Sequence, residues 1–122
     1  QYREKFIFNS NEFLKSFFSH LPIEDLEHYE RIFIYGFNER GKLLGKHLSN
    51  LELNSITFVD NYFGKVKNDS KSLGFEISSF DDLNSCKDSC FILAMSSHHW
   101  NSTTEQILLK YPDSEILKID KY

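Results

Sequence analysis

Six consecutive residues, Gly36, Phe37, Asn38, Glu39, Arg40 and Gly41, have the types and spacing to hold an anion. They follow a run of β-favouring residues (Ile32, Phe33, Ile34, Tyr35) and lead into a stretch where Leu43, Leu44, His47 and Leu48 fall at helical spacing. Strand, glycine turn and helix in that order aim backbone N–H groups and the positive end of a helix dipole at one point, a natural place for a phosphate. Nineteen residues beyond Gly41, Asp60 closes a second apolar run and is followed by Asn61. A carboxylate so placed can accept hydrogen bonds from ribose hydroxyls. A third group, Ser96, Ser97, His98 and His99, follows the most apolar run of the chain, residues 90–95. These side chains offer donors and acceptors at the edge where α/β sheets bind ligands. They lack the glycines of a nucleophile elbow, and no carboxylate at helical spacing completes a metal ligand set.

Gly36, Asn38 and Gly41 occupy the three glycine places of the dinucleotide fingerprint G-x-G-x-x-G, and Asp60 stands about where that fingerprint puts its carboxylate. The departure is Asn38. The middle glycine lets a pyrophosphate approach the backbone, whereas Asn is a strong N-cap that tolerates left-handed dihedrals. Asn38 can therefore satisfy the helix's own amides, with Glu39 countering its dipole. Arg40, Lys42 or Lys46 would then either compensate with charge or point to solvent. Two readings stand side by side: a nucleotide site, and a glycine turn that is purely structural.

The elements that position these residues follow from periodicity. Asn9 or Ser10 caps an expected helix whose Phe13, Leu14, Phe17, Phe18 and Leu21 form one stripe, stopped by Pro22. An acidic stretch, residues 23–30, has Leu26 and Tyr29 spaced for a short surface helix. Strands are expected to start near Arg31, Ser55, Phe75, Cys90 and Glu115, with a polar loop over residues 61–74. Ser78 or Ser79 is placed to cap a brief helix through Asp81, Asp82 and Leu83. Residues 102–105, S-T-T-E, fit a capping box that opens a helix with Ile107, Leu108 and Tyr111 inward. The run at 90–95 does not alternate, which predicts a strand buried on both faces of a parallel sheet.

At 122 residues the chain suits one domain core, and its twelve Phe and six Tyr make ring packing a large part of it. A net charge of −4 without a basic stripe argues against nucleic acid or anionic membrane as partner. No run approaches the roughly 20 apolar residues of a membrane span, and no signal peptide opens the chain. A cytoplasmic location is therefore expected, and the sequons at Asn68 and Asn101 carry no weight there. Cys86 and Cys90 lack the second pair that zinc requires and read as free thiols, so no metal is expected. The chain opens on Gln1, so a segment cut from something longer is expected.

Over roughly residues 31–120, the order I-x-I-Y-G-x-x-x-x-G-K-x-L, F-V-D-N, G-F-E-I-S-S-F-D-D-L and F-I-L-A-M-S-S resembles small Rossmann-like domains attached to bacterial sugar-modifying enzymes. These include domains of nucleotide-sugar acyltransferases, nucleotide-sugar dehydratases and sugar methyltransferases; potassium-channel regulatory domains share much of the pattern. The alternation of short β runs with helical patterns predicts an α/β three-layer domain over residues 31–122, with a parallel five-stranded sheet in the order 3-2-1-4-5, and leaves residues 1–30 as an N-terminal helical arm; the resemblance implies that its core is a Rossmann-like βαβαβ unit. The resemblance also implies a non-catalytic module that recognises a nucleotide or nucleotide-sugar, and the glycine fingerprint and the sheet's carboxyl edge give the expected contacts to that ligand or to NAD(P) as Gly36, Phe37, Asn38, Glu39, Arg40, Gly41, Asp60, Asn61, Ser96, Ser97 and His98. The implied setting is a larger protein that modifies bacterial sugars or surface polysaccharide, through a linked catalytic domain or a homodimer. The hexapeptides of acyl transfer and the Tyr-x-x-x-Lys of a dehydratase do not occur. The alternatives are a structural or dimerisation domain with a degenerate pocket, and a small NAD(P)-dependent enzyme.

Overall fold

The structure is a computed structural model that describes residues 18–19, 22–53, 55–61, 74–83 and 88–119. Helix α1 (Ile23–Leu26) is a single turn, and strand β1 (Arg31–Tyr35) follows. Next come helix α2 (Glu39–Asn50) and the strands β2 (Ile56–Val59) and β3 (Glu76–Ser78). A 3-10 turn (Phe80–Asp82) leads to β4 (Ser89–Leu93), and a second one (Ser97–His99) runs directly into helix α3 (Trp100–Lys110), before β5 (Glu115–Lys118). The five strands form one parallel sheet in the order β3-β2-β1-β4-β5, as the sequence predicts. The expected arm helix and the 61–74 loop fall almost wholly outside the described residues, as does Cys86.

β1 and β4 lie at the centre because they can tolerate burial on both faces. Their side chains alternate between two cores. Ile32 and Ile34 of β1 join Phe58, Cys90 and Ile92 under Leu44 and Leu48 of α2. Phe33 and Tyr35 join Val59, Phe91 and Leu93 beneath Ile107 of α3. The register that sets Phe33 opposite Phe91 stacks their rings 4.8 Å apart. Each ring buried this way is worth about 1.5–3 kcal/mol, so the two cores hold the sheet from both sides. Phe18 and Leu26 are buried in the α2 core, and Phe18 stacks on His47 with ring centroids 5.6 Å apart.

Three local expectations are corrected. Helix α3 begins at Trp100, ahead of the S-T-T-E box, because the preceding 3-10 turn carries the chain straight into it. Ser102 therefore lies inside the first turn, and its hydroxyl donates back to the His99 carbonyl instead of capping the helix. Leu108 faces outward at 37% exposure while Thr103 and Ile107 face the core, which is the i, i+4 stripe of a helix that starts earlier. Ser79 stands at the N-cap of the first 3-10 turn without a side-chain capping bond.

Candidate functional site

Where β1 and β4 end side by side, their connections leave in opposite directions, β1 toward β2 and β4 toward β5. Such a switch point opens a crevice beyond the carboxyl ends of the strands. Here it has a volume of about 360 Å³. Tyr35 and Gly36 form its floor, Asp60 and Asn61 one wall, and Met95, His99 and the first turns of α3 the other.

The glycine turn is built largely from its own bonds. Gly36 adopts φ +116°, a conformation that few residues but glycine reach, and this bends the chain out of β1. Gly41 sits where a Cβ would collide with the Gly36 carbonyl oxygen, so the helix can start this close to the strand only with glycine there. Asn38 is the N-cap of α2: its Oδ1 accepts from the Gly41 N–H at 2.9 Å. Its Nδ2 donates to the Ala94 carbonyl at 3.0 Å, which ties the turn to the end of β4. The carboxylate of Asp60 accepts from the Phe37 N–H at 2.8 Å. Both groups expected to meet a dinucleotide thus hold the turn itself.

The remaining expected residues separate. The Phe37 ring is buried in the α2 core, edge-on to Phe58 at 4.9 Å, with the Lys42 ammonium 4.8 Å above it. Glu39 is exposed and borders a larger groove of about 770 Å³ outside α2, whose walls include Lys42, Leu43, Leu53 and Phe75. Arg40 is half-buried and does not line the crevice. Ser96, Ser97 and His98 are also absent from its walls, and the Ser96 hydroxyl lies 3.2 Å from His98 Nδ1. Asn38, Gly36, Asp60 and Asn61 do come together there. Sequence reasoning passed over Tyr35, Met95, Ser102, Thr103 and Gln106 as site residues, and named His99 only beside His98. No spacing rule links residue 35 to residue 106; the sheet brings them together.

We place the site in the crevice and not in the larger groove, because polar groups from four elements converge there. The Tyr35 hydroxyl lies 3.1 Å from Asn61 Oδ1 and 3.5 Å from Gln106 Oε1. Burial, with Asp60 and Asp81 nearby, pushes the Tyr35 phenol up to about 12, so it remains a neutral donor at physiological pH. The Trp100 indole N–H donates to the Met95 carbonyl at 3.1 Å and fixes the β4 exit. The buried Cys90 thiol, raised to about 12 chiefly by burial, sits inside the sheet away from the crevice walls. Among the described residues no group of three His, Cys, Asp or Glu side chains is arranged to hold a metal ion, and no helix is long and apolar enough to cross a membrane.

Comparison with protein-family models, with curated proteins and with solved structures gave no match to this chain.

Proposed function

We propose that the domain is a non-catalytic module that binds a nucleotide or nucleotide-sugar in the crevice between the ends of β1 and β4. The observation that carries this reading is the convergence of Tyr35, Asp60, Asn61 and Gln106 on one concave site at the switch point. A few aimed polar groups around a largely pre-formed cavity characterise small-molecule sites. At about 360 Å³ the crevice lies near the lower end of the usual range of roughly 300–1,000 Å³. That favours a single nucleotide over NAD(P), with any attached sugar reaching past the rim. A tyrosine held neutral beside amide side chains suits recognition better than proton abstraction. The likeness of the strand and turn sequences to domains of bacterial sugar-modifying enzymes favours a nucleotide-sugar and a linked catalytic domain that acts on it.

A second reading, a structural or assembly domain, draws on the bonds that Asn38 and Asp60 spend within the glycine turn. Amide NMR spectra of the 122-residue chain titrated with uridine diphosphate, a uridine diphosphate-sugar and NAD separate the two. The binding reading expects shifts at residues 35–36, 60–61 and 102–106 below millimolar ligand. It also expects Tyr35→Phe to weaken binding by about 1 kcal/mol, or roughly fivefold. Silence at those amides with millimolar ligand would pass the case to the assembly domain.

A further inference from the structure

We propose that residues 1–17 pack against the sheet on the α2 side, over β4 and β5, and supply there the layer that α2 supplies over β1 and β2, an inference independent of any ligand in the crevice. On that side Cys90 and Ile92 of β4, Ala94 just after it and Ile119 just after β5 are 0–1% exposed. α2 joins β1 to β2 and so lies over that half of the sheet, with β4 and β5 beyond it. Phe37 and Phe75 pack on Phe58 of β2, and Leu53 lines the groove beside Phe75. Outside the sheet and α2, the described members of this core that remain are Phe18, Leu26 and the half-buried Tyr29. A five-residue strand runs about 17 Å, more than these three side chains shield along two strands.

Water is kept from this face of β4 and β5, so a further stretch of chain lies over it. Residues 62–73 connect β2 to β3 at the far edge of the sheet, residues 84–87 follow Leu83 of the opposite core, and residues 120–122 are too few. Residues 1–17 run into Phe18, which is itself fully buried in this core and stacked on His47 of α2. Phe13, Leu14 and Phe17 share with Phe18 the helical stripe i, i+1, i+4, i+5. Such a stripe must be buried against another apolar surface, and the sheet offers one at the point where the segment arrives. Continuity through Phe18 assigns the cover to the chain's own segment and not to a second copy. The phenylalanine-rich arm is then a layer of the domain, not a free dimerising surface.

Nuclear Overhauser effects in the full 122-residue chain are the test. Expected are contacts from the rings of Phe13 and Phe17 to methyl groups of Ile92, Ala94, Leu117 or Ile119, made within one molecule when labelled and unlabelled chains are mixed. Rings that instead meet Val59, Leu93 or Ile107 in the opposite core, contacts found only between chains in the mixture, or rings without contacts to the sheet would each overturn the proposal. Cys90 gives a second readout, because its side chain lies in this core. In a Cys86→Ser background it is the only thiol, and Phe13→Ser together with Phe17→Ser should raise its rate of reaction with a disulfide reagent about tenfold or more. An unchanged Cys90 rate in the folded variant would overturn the proposal too; if the variant does not fold, the ring contacts of the parent chain decide.

Discussion

The turns that leave β1 and β4 occupy corresponding places, one on each side of the switch point, yet they are built in opposite ways. After β1, a left-handed glycine bends the chain, a carboxylate takes up the Phe37 amide and a side-chain cap takes up the Gly41 amide. After β4, a 3-10 turn held by backbone bonds from His99 and Trp100 to the Ser96 and Ser97 carbonyls slides into a helix that receives no side-chain cap. The glycine-rich turn, which attracts attention in the sequence, is the more self-contained of the two. A glycine pattern marks where a backbone must pass closely; whether that backbone is free to bind depends on what its neighbours have already bonded.

The largest effect should come from the close approach inside the β1 turn. Gly41→Val drives a branched side chain into the Gly36 carbonyl, where only backbone can yield. A loss of about 3 kcal/mol or more is expected, at the upper end of overpacking costs. Urea denaturation measures it, and an unchanged midpoint would mean that α2 does not start where it is placed.

A pair of substitutions probes the two helix starts directly. Asn38→Ala removes the α2 cap and the tie to Ala94, for an expected loss of about 1–2 kcal/mol. At α3 the N-cap residue His99 has helical backbone angles instead of the extended ones a capping side chain needs, so His99→Asp should change stability by no more than about 0.5 kcal/mol. The contrast collapses if His99→Asp shifts the denaturation midpoint as far as Asn38→Ala does.

The smallest effect concerns the α2 core, where His47 is buried against Phe18 and its pKa is lowered by burial. The unfolded chain then takes up the proton more readily than the native one. Stability from this group is complete above the unfolded value of about 6.5 and declines as the pH falls below it toward the lowered native value. Denaturation midpoints at pH 7.5 and 5.5 should differ in that direction, and His47→Leu should flatten the difference. A midpoint that rises on acidification, with His47→Leu abolishing the rise, would contradict a native state that favours the neutral ring.

Much of this architecture is determined by the sequence alone, because strand and helix periods are local properties. Runs such as residues 32–35 and 90–94 are too apolar for any place but the centre of a parallel sheet, and each observed strand begins within about one residue of its expected start. The Asn38 cap was legible too, since a capping side chain reaches only three residues along its own chain. The S-T-T-E signal misled for the same reason of locality: a cap matters only where a helix starts, and the turn after β4 had started α3 already. What tertiary structure decided is who meets whom. Asn38 finds Ala94 across 56 residues, and Tyr35 meets Gln106 across 71, because the crossovers bring the ends of β1 and β4 to one edge. The same assembly gives the Asp60 carboxylate to the Phe37 amide. Periodicity along a chain contains no term for contacts made across a sheet, and the candidate site consists of those contacts.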